Sequence, residues 1–153
     1  MARISSFLYA ESIVTSITPD GIKPTIVGPM QIINLAFIPS SYSFAIILGL
    51  QDFDRDKAHK LRIEFVSVNN ETLYSASTES FAEPTNNNGN GLFNSFACTQ
   101  LSIDLRNVVF LNEGTYTTKI WFDNELLGDY PIFVGSIKDD WNANVNARSE
   151  QVI

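Results

Sequence analysis

The sequence has 153 residues, of which 44% are hydrophobic and 18% are charged, and its formal net charge at pH 7 is −7. A chain of this length buries about 70% of the surface that it exposes when unfolded, so it is long enough for one domain with its own core. Its apolar content excludes a wholly disordered protein. Its scattered basic residues disfavour nucleic acid and anionic membranes as partners, because both require concentrated positive charge.

The first residues, MARISSFLYAES, do not read as a secretory signal, because Ser5, Ser6 and Glu11 interrupt the apolar stretch that such a signal needs. Later apolar segments contain Pro and Asn and are too short to span a bilayer. Cys98 is the only cysteine, so the chain cannot form an internal disulfide, as is usual in a reducing compartment. These features predict a cytoplasmic protein that does not insert into membranes.

Apolar residues alternate with polar ones through most of the chain, as they do in β-strands with one buried face. In the segment SYSFAIILGL, for example, Phe44 and Ile46 share one face while Ser43 and Ala45 occupy the other. Turn sequences such as TPDG, NEG and DNE separate these segments. The pattern predicts about eight strands, which cover roughly residues 4–13, 23–37 with a break at Gly28-Pro29, 42–50, 61–68, 72–81, 96–105, 115–122 and 125–134.

Strands with one apolar face must bury those faces against each other, so the predicted fold is all-β: an antiparallel two-sheet β-sandwich, immunoglobulin-like or C2-like. We assign residues 1–135 to this domain and residues 136–153 to a polar C-terminal tail. The segment AEPTNNNGNGLFN, residues 82–94, is rich in Asn and Gly and is predicted to be a mobile loop.

Three carboxylates at alternate positions, Asp52, Asp54 and Asp56, form the sharpest candidate for a metal site. Calcium takes six to eight oxygen ligands, and a flexible loop between strands can supply them. This loop lacks the glycine and the final glutamate of an EF-hand, and neighbouring Arg and Lys residues partly neutralise it. The three residues are therefore weak candidates, and a solvated turn is the favoured interpretation.

The sequence lacks the residue sets that common catalytic mechanisms require. His59 is the only histidine, no serine or cysteine motif surrounds it, and its neighbours Lys57 and Lys60 indicate a solvated turn residue. Zinc needs several Cys or His ligands, and neither a dinucleotide-binding nor a P-loop glycine pattern occurs. We therefore expect no enzymatic activity and no cofactor.

Four hydrophobic residues are candidates for contact with a partner. Trp121 alternates with the apolar face of its strand and is expected to point outwards beside Lys119. Trp141 stands alone in the polar tail, where it either anchors a partner, since Trp is favoured at interface hot spots, or folds back onto its own domain. Leu92 and Phe93 end the Asn-rich loop and are exposed if that loop is mobile.

Four segments carry a resemblance to a known family: SFLYAESIV, DGIKPTIVGPMQII, FIPSSYSFAIILGL and EGTYTTKIWFDNELLGDYPIFV. Through them, nearly the whole predicted domain resembles the small bacterial family catalogued as domain of unknown function 6941. The resemblance implies a single-domain β-sandwich with no assigned catalytic residues. Members of that family often occur in bacterial and mobile-element genomes, so the resemblance is compatible with a phage origin.

Two functional hypotheses remain open at the level of the sequence. The first is a non-catalytic protein-binding β-sandwich module of bacterial or phage origin, which acts on a host protein if a phage encodes it. Loops or an exposed strand edge would bind the partner. The second is a calcium-dependent, lectin-like domain that binds a small ligand or glycan through Asp52, Asp54 and Asp56.

We also predict a homo-oligomer, most simply a two-fold dimer. The segment TLYSASTESF has no proline and one acidic residue, so little protects it at a sheet edge, whereas Asp129 and Pro131 would protect the strand at 125–134. Light scattering behind a sizing column measures the mass. A mass near the 17.1 kDa of one chain at micromolar concentration would contradict the dimer, and dissociation by Ser77→Pro would place its interface on this segment.

Overall fold

The computed structural model describes residues 1–54, 56–81 and 98–137. These residues form nine strands, which confirms the predicted all-β class. Within them, no helix is long and apolar enough to cross a membrane. The strands are β1 (Arg3–Thr18), β2 (Gly21–Met30), β3 (Ile32–Leu35), β4 (Ser40–Gln51), β5 (His59–Val66), β6 (Thr72–Phe81), β7 (Cys98–Phe110), β8 (Gly114–Phe122) and β9 (Glu125–Ser136).

The strands form two sheets, as the predicted sandwich requires. The first sheet has the order β2, β1, β4, β7, and the second has the order β3, β9, β8, β5, β6. Neighbouring strands pair antiparallel except for β3 and β9, which are parallel. The wholly antiparallel prediction is wrong at this pair. The chain crosses to the second sheet directly after β2, so β3 runs alongside the last strand.

The predicted strand at 23–37 is two strands, which raises the number from eight to nine. The break falls at Gln31, where the chain leaves the first sheet, and not at Gly28-Pro29. Gly28 lies within β2 with a φ of 62°, a left-handed conformation that glycine adopts without strain. A Cβ at this position would lie 2.6 Å from the Glu11 side chain, which is flexible and can move, so the left-handed φ is the reason that this position favours glycine.

The core lies between the two sheets, with β4 at its centre. Phe44, Ile46 and Leu48 are at most 2% exposed, as the alternation predicts. The opposite face of this strand is buried as well, because Ala45 is inaccessible to solvent and Ile47 is only 5% exposed. The prediction of a half-exposed strand is therefore wrong for β4, whose second face has its own cover.

The hairpin of β8 and β9 has the predicted form. Its turn consists of Asp123 and Asn124, whose φ values of 50° and 65° are typical of a type I′ turn. The other end of β8 is held by Tyr116, whose hydroxyl donates a hydrogen bond to the carbonyl of Asn112 at 2.7 Å. Such a tyrosine corner is typical of immunoglobulin-like sandwiches. The core-facing residues of β8 are Tyr116, Thr118, Ile120 and Phe122.

The sheet edges agree with the prediction for one strand and not for another. Among the described strands, β6 is the last of its sheet and is an edge. β9 is not an edge throughout, because β3 pairs with residues 133–136. Pro131 precedes this pairing, in the part of β9 that has only β8 as its neighbour among the described strands. Pro131 therefore protects only that part of β9 from pairing with a strand of another chain.

Tyr9 joins the two sheets on the side where β1 faces β9. Its hydroxyl donates a hydrogen bond to the carbonyl of Tyr130 at 2.6 Å and lies 2.7 Å from Oγ1 of Thr118, which is fully buried. Because the single phenolic proton goes to the carbonyl, Thr118 donates to Tyr9. Burial raises the pKa of Tyr9 well above its usual value. The ring of Phe7 stacks on that of Tyr130 beside this contact, with centroids 4.1 Å apart.

Replacing Tyr9 by Phe removes both hydrogen bonds and leaves the buried Thr118 hydroxyl without this partner. We expect Tyr9→Phe to lower the free energy of unfolding by about 1–3 kcal/mol, the usual cost of an unsatisfied buried polar group. Urea unfolding measures the loss. The double variant Tyr9→Phe/Thr118→Val should lose less than the sum of the two single variants, because the orphaned hydroxyl is gone. Wild-type stability of Tyr9→Phe would refute this account of the contact.

Candidate functional site

Three of the four predicted partner-contact residues, Leu92, Phe93 and Trp141, lie outside the described residues, and so do the predicted loop at 82–94 and the tail beyond Ile137. The proposals that they contact a partner stay predictions. The described residues offer three other regions with possible functional chemistry: the surface around Trp121, the end of the sandwich at His59, and the hairpin of β1 and β2.

Trp121 lies on the outer face of the second sheet, as predicted, but it is only partly open to solvent. Arg62 is its cross-strand neighbour on β5, and the guanidinium carbon lies 4.2 Å from the centroid of the indole ring, in a cation–π contact. Leu126, its neighbour on β9, is 49% exposed. A cleft of about 100 Å³ lies beside the ring. The sheet's own residues therefore cover part of the surface that a partner could contact.

The carboxylates of the predicted calcium loop do not converge. Asp52 accepts a hydrogen bond from Nε of Arg3 at 2.6 Å. Asp54 accepts one from the backbone NH of Asp56 at 3.0 Å, and its other oxygen lies 3.7 Å from the ammonium of Lys57. In the described part of the chain, no three His, Cys, Asp or Glu side chains are placed to hold a metal ion. The lectin hypothesis therefore has no preformed calcium site among these residues.

His59 is buried, so the prediction of a solvated turn residue is wrong. It begins β5, is 7% exposed, and uses both ring nitrogens. Nδ1 lies 2.6 Å from the carboxylate of Asp123, and Nε2 lies 2.6 Å from the carbonyl of Asp54. The sequence contains a signal for this position, because His59 precedes Leu61 and Ile63 at the spacing of two that marks the inward face of the strand.

The electrostatics favour the charged forms of both His59 and Asp123. Burial alone would lower the pKa of His59, but the hydrogen bonds and charges of Asp123 and Asp54 outweigh it, so this pKa is raised. The pKa of Asp123 is lowered, first by the hydrogen bond from the backbone of Lys60 and then by His59. In this arrangement both ring nitrogens are engaged in hydrogen bonds within the fold.

β1 and β2 continue as a hairpin past the point where β1 stops pairing with β4. The pairing of β1 with β4 ends at Ala10 and Ala45, whereas its pairing with β2 continues to Thr18 and Gly21. Residues 11–28 therefore form a two-stranded hairpin with no third described strand bonded to it, which we call the β1–β2 arm. A two-stranded hairpin is only marginally stable in water, so packing has to support it.

One face of the β1–β2 arm is apolar along nearly its whole length. The opposite face mixes polar side chains with two valines, Val14 and Val27. Such a difference between faces is typical of a ribbon that uses one face for packing. The apolar face consists of three cross-strand pairs: Ile13 with Ile26, Thr15 with Pro24, and Ile17 with Ile22.

The inner part of this apolar face lies over the sandwich, and the tip does not. Residues of the arm and of the outer face of the first sheet line a common cleft of about 200 Å³, which accounts for part of the burial of Ile47. At the tip, Ile17 is 89% exposed and Ile22 is 72% exposed. The tip pair thus continues the face of the half-buried Ile13 and Ile26 without cover of its own among the described residues. The cleft is lined by Ile13, Pro24, Ile26, Ile47, Gln100 and Ser102.

The sequence pattern ends the first predicted strand at residue 13, whereas β1 continues to Thr18. The missed signal is the run of β-branched residues in IVTSIT, which leads directly into the predicted TPDG turn. That turn is present, and the Thr18 hydroxyl donates a hydrogen bond to the carbonyl of Gly21 at 2.9 Å. The turn and the run together indicate a hairpin that continues past the end of the predicted strand.

The profile of a family of unknown function, DUF6941, matches residues 13–135. The chain belongs to this family. The match confirms the resemblance found in the sequence, and it includes most of the β1–β2 arm and nearly all of the remaining strands. No curated protein sequence matches this chain significantly.

Two solved structures are distantly similar to this member of the family. An immunoglobulin-like protein from Pseudomonas aeruginosa is similar over 88% of this chain and 97% of that chain, with 9% sequence identity and a TM-score of 0.46. The alkylpurine DNA glycosylase AlkC from Pseudomonas fluorescens, bound to DNA containing an abasic site analogue, is similar over 87% of this chain and 30% of that chain, with 11% identity and a TM-score of 0.40. Neither similarity indicates a function for this chain.

Calcium should not stabilise this protein through Asp52, Asp54 and Asp56, because Arg3 and Lys57 already balance two of these carboxylates. An ion that binds only the native state raises the melting temperature. We expect the melting temperature in millimolar calcium to equal that in EDTA within about 1 °C, with magnesium at equal ionic strength as the control. A rise of several degrees that Asp54→Asn abolishes would restore the calcium hypothesis.

Proposed function

We propose that this protein is a non-catalytic protein-binding module and that the β1–β2 arm contacts its partner. The observation that carries this proposal is the exposure of Ile17 and Ile22, at 89% and 72%, at the end of a continuous apolar face. Single apolar side chains are common on protein surfaces, but a continuous apolar face supports an interaction site. Full burial of each side chain by a partner would contribute roughly 1.5–3 kcal/mol.

The chemistry of the arm favours a protein partner with an apolar surface. Lys23 is the only basic residue between positions 11 and 28, and its ammonium lies 3.9 Å from the carboxylate of Asp20. Nucleic acid needs several Lys and Arg contacts with phosphates, and segments that lie on membranes usually combine basic with aromatic residues. The arm has no aromatic residue and one basic residue. Its isoleucine pairs therefore fit a hydrophobic groove or sheet face of another protein.

The prolines of β2 favour binding through side chains rather than by addition of a strand. Pro24 and Pro29 have no backbone NH, and because residues five apart in a strand direct their nitrogens to opposite sides, one of the two removes a donor from the outer edge of β2. A partner strand would lose one main-chain hydrogen bond there. We place the contact on the apolar face, where the side chains of Ile17 and Ile22 would enter a pocket of the partner.

The non-catalytic part of the proposal is supported by the state of the one histidine. Both nitrogens of His59 make hydrogen bonds within the fold, to Asp123 and to the carbonyl of Asp54, so the ring serves as a structural contact between segments of the chain in this arrangement. We extend the proposal to a cytoplasmic protein of bacterial or phage origin, whose partner is a host protein if a phage encodes it. The homodimer through β6 remains a separate prediction.

Partner capture with arm variants tests the proposal. Immobilised wild-type protein should retain a reproducible partner from a lysate of the native host, and Ile17→Ser/Ile22→Ser should lose it. Because two apolar side chains leave the interface, the dissociation constant measured with the purified partner should rise about 30-fold or more. The melting temperature should stay near that of the wild type, since both side chains are exposed.

Val14→Ser is the matched control for this experiment. Val14 is 52% exposed on the opposite face of the arm, so this variant should bind as the wild type does. Equal capture by the wild type and the double variant, or equal loss in both variants, would contradict the assignment of the apolar face. If the wild type retains no reproducible partner at near-physiological salt, the protein-binding function itself is refuted.

A further inference from the structure

His59 ties a loop and a turn to the first residue of β5. Its Nδ1 lies 2.6 Å from Oδ2 of Asp123 in the β8–β9 turn. Its Nε2 lies 2.6 Å from the backbone carbonyl oxygen of Asp54, in the connection between β4 and β5. The side chain is 9% exposed, and its ring packs against Phe122 with centroids 4.7 Å apart. Three segments of the chain thus meet at one buried imidazole.

Both hydrogen bonds form together only when the ring carries two protons. A carboxylate and a backbone carbonyl are acceptors, so each ring nitrogen has to be a donor. A neutral imidazole has one N–H and would direct a lone pair at one of the two oxygens. The arrangement of Asp123, His59 and Asp54 is therefore that of an imidazolium ion.

The charged groups that surround the ring favour this form. The cavity at this end of the sandwich has a volume of about 340 Å³. Carboxylates outnumber cations around it, and one of them contacts the ring directly, which stabilises the positive charge against the cost of burial. Lys60, the next residue on β5, donates its backbone NH to Asp123. The charged side chains lining the cavity with His59 are Asp52, Asp54, Asp123, Glu125 and Lys57.

The two partners of His59 differ in what else holds them. The Asp123 turn is bonded to β5 independently of the ring, because its NH donates to the carbonyl of Lys60 and its Oδ1 accepts from the NH of Lys60, both at 2.8 Å. Asp54 makes its other polar contacts with Asp56 and Lys57, within its own loop. Among the hydrogen bonds and ion pairs of the described residues, His59 is therefore the polar link from Asp54 to the sandwich, next to the apolar packing of Phe53 in the core.

We propose that His59 is a pH-sensitive latch, which holds the Asp54 loop against the end of the sandwich only while the ring is doubly protonated. When one proton is lost, the remaining N–H stays with the carboxylate of Asp123, because a charged acceptor makes the stronger hydrogen bond. Nε2 then has no proton to donate, and the carbonyl oxygen of Asp54 accepts a hydrogen bond from water instead. The ring then no longer fixes the backbone of Asp54, while the neighbouring Phe53 stays packed in the core.

The direction of the pH dependence follows from proton linkage. The pKa of His59 in the folded protein is raised above its ordinary value of 6.5. A group with a raised pKa contributes stability that is fully present below its unfolded pKa and is lost as the pH rises through its folded pKa. The latch is therefore closed below about pH 6.5 and opens in the range above it.

Nuclear magnetic resonance tests the latch directly, because His59 is the only histidine in the sequence and its ring signals identify themselves. In the wild type, the ring nitrogens should titrate with a midpoint above pH 6.5. The backbone amide signals of Asp54 and Asp56 should shift with the same midpoint. A midpoint at or below this value, or a loop that does not respond while the ring titrates, would overturn the proposal.

Two acidic residues of the cavity provide a matched pair of variants. Asp123→Asn and Glu125→Gln each remove one negative charge, but only Asp123 contacts the ring. Asp123→Asn should lower the midpoint by about one pH unit or more, and Glu125→Gln should leave it nearly unchanged. Equal shifts in both variants would refute the latch. If Asp123→Asn does not fold, the wild-type titration decides the question alone.

Discussion

The burial of apolar side chains between the two sheets is the interaction on which the other features of this molecule depend. Phe44, Phe65 and Phe110 meet at its centre, with ring centroids 5.2 to 6.4 Å apart. Because this core fixes β4, β5 and β8, it also sets where the arm leaves the first sheet and where the ends of the strands lie. Because this core holds the strands in place, the sheet edges and connections can present exposed apolar side chains and titratable groups. Functional residues often lie in such segments.

The sequence predicts those features that depend on neighbours along the chain. The inward face of β8 and the turn at Asp123 follow from alternation and turn chemistry, and the structure has both. The crossing at Gln31 was not predictable in the same way, because the choice of sheet depends on a partner strand far along the chain. His59 is an intermediate case. Its spacing from Leu61 indicates the inward face, while its charged neighbours indicate solvent, and the spacing is correct.

The β1–β2 arm shows why a candidate site was harder to predict than the fold. Ile13 with Ile26 and Ile17 with Ile22 are equivalent in sequence, since both are β-branched pairs on one face of a hairpin. Only the position of the first sheet makes one pair partly covered and the other exposed. The arm and the His59 contact also lie in different parts of the fold, so a change in one does not remove the other.

The pairing of β3 with β9 sets an order of events for folding. Ile32 pairs with Phe133, and Tyr9 reaches the carbonyl of Tyr130, so β3 and β1 depend on β9. A ribosome releases the chain from its amino terminus, and these contacts span about a hundred residues, a separation that slows folding because a long loop must close first. Until β9 emerges, β3 lacks its sheet and Tyr9 lacks its acceptor. The growing chain therefore exposes the apolar surface of β3 until β9 has been made, and chaperones and aggregation compete for that surface in the meantime.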